Sequence, residues 1–429
     1  MLKKEKSAIT GFLFATVTSL ALSQSTLTLE QCLQLARSNS PALRAADDAV
    51  RAVELSRSEL TTTALPQLKG GVNGSYAPVP PPFGYDPVIS NGGQIAGQIM
   101  FQQSLYDGGA RGVKADQLQI DSERSIRERR RTERDLMFAL SQTFIEVLRA
   151  QREVELQQQS VDQLTAYLGL VQRLFNGGNV SYTDVLKTEV QLSTATLELQ
   201  KAEESVRTGR FSLSEIIGME VDTSVTIAGS LENRSDSTTT TPEDALAGSL
   251  DLSIASLIVD RGTLEIELAK REHFPDISFT GDAGYLSSIE NLRLPSSERV
   301  SALGYSIGVG IEVPIFNWGA TGLRVEQREL ELDAQRQQME LLRRSLSSEF
   351  RKTRLGLANA RSRLQTIRAN VAKAEDNFLL IRSKYAGGAT LSLEVLSAQQ
   401  LLTESKLSEL ETLSTIQLLS AKLKQLGGQ

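Results

Sequence analysis

Two hydrophobic periods share this chain. Four stretches alternate apolar and polar side chains with period two, the mark of strands with one apolar and one wet face. Ile95, Gly97, Ile99 and Phe101 alternate with Gln94, Ala96, Gln98 and Gln102. Ile277, Phe279, Ala283 and Tyr285 alternate with Asp276, Ser278, Thr280 and Asp282, and the odd positions from Tyr305 to Ile315 alternate with Ser306, Gly308, Gly310, Glu312 and Pro314. Strands are expected at about 66–77, 94–105, 274–286 and 303–316. Each runs to about ten residues, the length of a tilted bilayer-spanning strand.

The second period is seven. Leu140, Val147, Val154, Val161, Leu168 and Phe175 recur at that spacing, with Thr143, Ala150, Leu164 and Val171 at the complementary position. Phe350, Leu357, Leu364, Val371, Phe378 and Tyr385 repeat the pattern, and Val185, Leu192, Leu199, Val206 and Leu213 continue it on a returning segment. These positions predict antiparallel coiled-coil hairpins at about 108–217 and 319–426. An outgoing helix of about 66 residues would be roughly 100 Å long at 1.5 Å per residue, so it must project from the rest of the chain.

The chain is written twice. YDGGARGVKADQ from Tyr106 matches FNWGATGLRVEQ from Phe316, and FNGGNVSYTDVL from Phe175 matches YAGGATLSLEVL from Tyr385 at the same offset. Upstream, TLEQCL near Thr28 pairs with TPEDAL near Thr241, and LPQLKGG around Pro66 with FPDISFTG around Pro275. One order of elements (helix, strand, loop, strand, long helix, Gly turn, returning helix) therefore fills residues 24–218 and again 241–429, with the polar segment 219–240 as a linker. Asp107 and Asn317 are placed to cap the long helices, ahead of Gly109 and Gly319 at the bend. Gly177 with Gly178, and Gly387 with Gly388, are expected to reverse the chain at the far end, where positive φ costs glycine little. Thr183 and Asp184 then open the returning helix, with the carboxylate near its N-terminus.

Composition and the N-terminus decide where such a chain can work. Lys3, Lys4 and Lys6 precede an apolar run from Ala8 to Leu22, which reads as a secretory signal over 1–23. No later stretch approaches the roughly 20 apolar residues of a membrane helix, so membrane contact falls to the strands. Open sheet edges do not persist in lipid, and four strands are too few to close alone. Two copies would make an eight-stranded barrel filled by side chains, whereas three make twelve strands around a lumen. The net charge of −6, with interleaved signs even in RSIRERRRTERD at 124–135, argues against nucleic acid as a partner; that cluster reads as a solvated helix face. Cys32 is expected as a packed helix residue. The one histidine, His273, stands beside a strand start without a Ser/His/Asp, metal or nucleotide motif, so neither enzyme activity nor a cofactor is expected.

With these motifs laid out, the chain resembles the TolC family of outer-membrane efflux and secretion channels along nearly its whole mature length. The most specific marks are YDGG and FNWG at the strand-to-helix junctions and FNGGNVSYTDVLK and YAGGATLSLEVLSAQ at the hairpin tips. The resemblance implies an α+β membrane protein, internally duplicated, with four transmembrane strands per protomer. A homotrimer would close a twelve-stranded barrel in the outer-membrane lipid and a tapering barrel of helices in the periplasm, girdled by the short helices and the linker. It also implies an exit duct of a tripartite efflux or type I secretion system, docked on a periplasmic adaptor and fed by an inner-membrane transporter. On that basis Gly178, Asn179, Gly388 and Ala389 are candidate adaptor contacts, while Thr183, Asp184, Tyr385 and Glu394 match residues that hold the closed tip. Thr390 stands where the family places an arginine and Ser397 where it places a second carboxylate, so a weaker tip lock and cation-attracting ring are expected; Glu394, one turn inside the second tip, is the expected constriction charge. The alternative, a periplasmic coiled-coil adaptor, would carry one hairpin in a β-rich lipoyl-like region; this chain carries two hairpins and no such region.

Overall fold

The computed structural model describes residues 26–77, 92–220, 227–232, 241–290 and 301–427. The expected signal segment, the two segments that would join paired strands at 78–91 and 291–300, and most of the linker lie outside the described residues. The first repeat runs α1 (Leu29–Asn39), α2 (Pro41–Thr62), β1 (Gln67–Ala77), β2 (Gly92–Asp107), α3 (Ala110–Asn176) and α4 (Tyr182–Ile217). The second runs α5 (Pro242–Ala247), α6 (Leu250–Arg271), β3 (Asp276–Glu290), β4 (Ser301–Glu312), α7 (Ala320–Ala386) and α8 (Ser392–Leu426).

Local sequence sets most of these ends. Thr28 with Gln31 and Thr241 with Asp244 form capping boxes that start α1 and α5, which is what the paired TLEQCL and TPEDAL segments encode. The long helices begin otherwise than expected. Their N-caps are Gly109 and Gly319, in the left-handed region at φ 81° and 79°, with no side-chain cap. Asp107 acts one step deeper, accepting from the Arg111 amide at 2.9 Å, and Asn317 donates to the Thr321 hydroxyl at 2.7 Å. At the far end only the second glycine of each pair has positive φ, 75° at Gly178 and 73° at Gly388.

The strands form one antiparallel sheet in the order β1-β2-β3-β4. Strand β4 stops at Glu312 rather than near 316, because Pro314 has no N–H to give a ladder, while β2 and β3 each run beyond the expected spans. The register sorts the side chains by chemistry. Lys69, Met100, Asp282 and Ser306 stand in one row across the sheet, and Gln67, Gln102 and Thr280 in another, with the Ser306 hydroxyl donating to Asp282. The opposite face carries Leu68, Phe101 and Ile307 in one row and Val72, Tyr285 and Leu303 in another. That apolar face is bare within the protomer: Leu303 and Tyr305 are each 83% exposed. A bulge between Ser104 and Tyr106 inserts Leu105 and raises the local twist just before the chain turns into α3.

Helices α3 and α7 are 67 residues each, roughly 100 Å long at 1.5 Å per residue. Small residues let their partners approach. A Cβ added at Gly209 of α4 would meet Val147 Cγ2 of α3 at 2.8 Å, and Ala202 and Ala360 are buried at the seams. Around the waist, Cys32 of α1, Leu140 and Val147 of α3, Leu213 and Ile217 of α4 and Ile227 form one buried cluster, and a parallel bridge joins Leu27 to Ile227. Helix α2 lies on α3, and α6 lies between α3 and α7. The charge-dense stretch of α3 is more than a solvated face: Arg134 pairs with Asp251 of α6 at 3.0 Å, Arg129 with Asp47 of α2 at 2.9 Å, and Arg261 of α6 with Asp121 at 3.1 Å.

Burial pushes the Cys32 thiol up from 9.0 to about 11. The unfolded chain ionises first, so the stability gained by keeping this thiol neutral is complete below pH 9 and is lost as pH rises toward about 11. Because the thiolate is the nucleophile, maleimide at pH 8 should label the native protein at least about a hundredfold more slowly than the denatured chain. Equal labelling rates would contradict the buried waist.

Candidate functional site

The two hairpin tips are built alike. Helix α3 ends in a Schellman turn, in which the Asn179 amide donates to Leu174 O at 2.9 Å and the Gly178 amide to Phe175 O at 2.8 Å. Ala389 and Gly388 repeat the turn against Lys384 O and Tyr385 O, each at 2.9 Å. No heavy atom lies within 4 Å of an added Cβ at Gly178 or Gly388, so these glycines answer to backbone conformation alone. Helix α4 then starts on Ser181, whose hydroxyl accepts from the Asp184 amide while Asp184 Oδ2 accepts from the Ser181 amide, both at 3.3 Å.

The sequence-derived gate residues divide between core and surface. Tyr385 is buried, its ring 5.3 Å from that of Tyr167 on α3. Asp184 is half-buried, tied into its own capping box, and close enough to act electrostatically on Tyr167. Thr183 and Glu394 are exposed, and Glu394 accepts a hydrogen bond from the Thr390 hydroxyl. Gly178, Asn179, Gly388 and Ala389 are exposed at the two tips.

Two residues that join the hairpins escape a reading by repeats. The Tyr167 hydroxyl donates to Ser392 Oγ at 3.0 Å, which links α3 of the first hairpin to the start of α8 in the second. Burial holds the Tyr167 phenol far above its ordinary range, and the Ser392 bond only partly offsets this. The Tyr385 hydroxyl is enclosed in the same cluster without a hydrogen-bond partner of good geometry. Val171, Val185, Phe378 and Val395 complete this core, which draws on all four long helices. Tyr167 falls off the seven-residue register, and only a contact across 225 positions gives it a role. The tip motifs also carry exposed apolar side chains: Phe175 and Tyr182, with rings 5.6 Å apart, and Leu391 and Leu393.

The sequence pattern of the outer membrane efflux protein family matches residues 32–219 and 241–429, one match for each repeat. The chain belongs to this family. Among curated relatives it is 22% identical over 310 residues to outer membrane efflux protein BepC of Brucella suis, covering 70% of this chain and 65% of BepC. It is 25% identical over 264 residues to outer membrane protein TolC of Vibrio cholerae, covering 60% of this chain and 59% of that protein. These matches span less than two-thirds of either relative's length. Among solved structures, the outer membrane protein VceC of Vibrio cholerae superposes with a TM-score of 0.76 over 93% of this chain and 96% of that one, at 16% identity. The open-state MtrE outer membrane channel of Neisseria gonorrhoeae gives 0.75 over 93% and 88%, also at 16%. The superpositions bear out the duplicated α+β architecture, while membership of the outer membrane efflux protein family bears out the outer-membrane location and sets aside the adaptor reading.

Ser392→Ala would leave the buried Tyr167 hydroxyl without its acceptor, at a cost of about 1–3 kcal/mol. Tip amides of α3 and α8 should then exchange with solvent about 5- to 150-fold faster by that figure, while waist amides near Leu140 are unchanged. Hydrogen exchange read by mass spectrometry checks this, and an unaltered tip would show that the bond does not hold the hairpins together.

Proposed function

We propose that three copies of this chain form an exit duct in the outer membrane, carrying substrates from an inner-membrane transporter and a periplasmic adaptor to the exterior, as in tripartite efflux or type I secretion. One observation carries this reading. The sheet has an apolar face open on one side, a polar face on the other, and two edge strands, β1 and β4, each with a neighbour on one side only. Lipid covers the first face, water fills the second, and adjacent copies pair the edges. The PrtF relative from Dickeya chrysanthemi, 23% identical over 272 residues, is named a proteases secretion protein, which supports an export role.

Within this reading the tips meet the adaptor. Gly178, Asn179, Gly388 and Ala389 offer bare backbone there, and Phe175, Tyr182, Leu391 and Leu393 give apolar purchase for another helical hairpin. Thr183, Asp184, Tyr385 and Glu394 form the gate. Tyr385 works through the inter-hairpin core, and Glu394, with Thr390 beside it, carries the charge nearest the aperture.

Conductance in planar bilayers tests both parts. The purified protein should open long-lived ion-conducting channels, and protein correctly inserted but electrically silent would refute the duct. Glu394→Gln should lower cation preference and weaken block by multivalent cations. Unchanged selectivity and unchanged block would reassign Glu394 to an ordinary first-turn acid.

A further inference from the structure

The duplication lets one half of the chain predict what must cover the other. The β2–α3 corner of the first repeat is occupied within the protomer: Gly108 sits so close to the α6–β3 corner that an added Cβ would lie 2.7 Å from Phe274 Cβ and 3.1 Å from Arg271 O. Its equivalent in FNWG is Trp318, also in the left-handed region at φ 56°, yet 87% exposed. Trp318 is the one described non-glycine residue with positive φ. A bulky side chain holds that conformation only when its surroundings over-determine it, and within one protomer nothing does. Phe316 packs on it at 4.8 Å and is itself exposed.

The same contrast continues down the helix. Val113 of α3 is 5% exposed, whereas its equivalent Leu323 of α7 is 67% exposed. Leu323, Leu330 and Leu341, with the uncharged Gln327, Ala334 and Gln337 between them, make an exposed charge-free stripe on a helix otherwise crowded with charge. The matching stretch of α3 lies on α6, where the Arg127 guanidinium donates to Ser253 O at 3.0 Å and Asp121 pairs with Arg261. Helix α6 corresponds to α2, since both have 22 residues and end at the same distance before Pro275 and Pro66. By that correspondence Phe274 becomes Leu65, which is 58% exposed, and the face of α6 that meets α3 becomes an exposed face of α2 carrying Ala45, Ala49 and Ala52.

We propose that Trp318 and the leucine stripe of α7 dock on the α2–β1 corner of a neighbouring copy of this chain, with Trp318 against Leu65 of that copy. The inference rests on the trimeric reading above and adds its seam. The steric pairing is exchanged between the seams: glycine meets phenylalanine inside the protomer, and tryptophan meets leucine between protomers. Large leucines on α7 likewise face small alanines on α2. Closing β4 on a neighbour's β1 carries α7 onto that neighbour's α2, because each helix flanks its own edge strand.

Disulfide capture tests the seam. In one protomer, positions 318 and 65 flank opposite edges of the sheet, three strand spacings or about 14 Å apart, too far for a bond that needs Cα atoms within about 7 Å. Any Trp318→Cys, Leu65→Cys cross-link is therefore between copies, and the buried Cys32 leaves a clean background. Mild oxidation in outer membranes should convert most of the doubly substituted protein to covalent dimers and trimers on denaturing gels, while each single variant stays monomeric. A heat-dissociable trimer that yields no cross-link would overturn the seam and leave the trimer intact; monomers before heating would sink both. Trp318 is the chain's sole tryptophan, so the unsubstituted protein supplies a second readout. Its fluorescence should change little on reconstitution in phospholipids with brominated acyl chains, and strong quenching would assign Trp318 to lipid instead.

Discussion

A backbone amide or carbonyl facing hydrocarbon has no water to bond, and each one left unpaired costs several kilocalories per mole. Strands β1 and β4 present a full row of such groups on their outer edges, beside a sheet face of Leu68, Val72, Leu303 and Tyr305 that nothing within the protomer covers. In the trimer proposed above, lipid covers that face, neighbouring copies pair the edges, and twelve strands leave a water-filled interior for Lys69, Gln102, Thr280 and Asp282.

The helical half follows from that sheet. Each pair of strands hands the chain to a helix too long for any compact core, so the helices stabilise one another along their seams. Seam positions are small where the partner must come close, as at Gly209 against Val147, and large where three or four helices converge, as at Leu140 or Phe378. Charge does a different task here than solvation. The Arg134–Asp251 and Arg261–Asp121 pairs bind α3 to α6 and fix how the short helices lie against the rods.

Much of this was legible because the sequence says it twice. Period-two and period-seven patterns named the strands and rods, and equal offsets between the Gly motifs fixed the repeat. Other features were hidden for identifiable reasons. Strand β4 stops early because Pro314 removes a donor, although the alternation continues past it. Asp107 looks like an N-cap by residue type, but the backbone bends through Gly109 and moves the cap two residues on. The Tyr167–Ser392 bond joins residues 225 positions apart, so no local pattern could announce it. The gate residues taken from motif resemblance differ physically, with Tyr385 enclosed in a four-helix core and Glu394 exposed.

The mass and shape of the mature protein test the central claim most directly. Sedimentation with small-angle X-ray scattering should require detergent for solubility and return a three-chain particle longer than about 100 Å, the length of one rod at 1.5 Å per residue. A water-soluble, compact, single-chain particle would contradict a sheet that only lipid and neighbouring copies can complete.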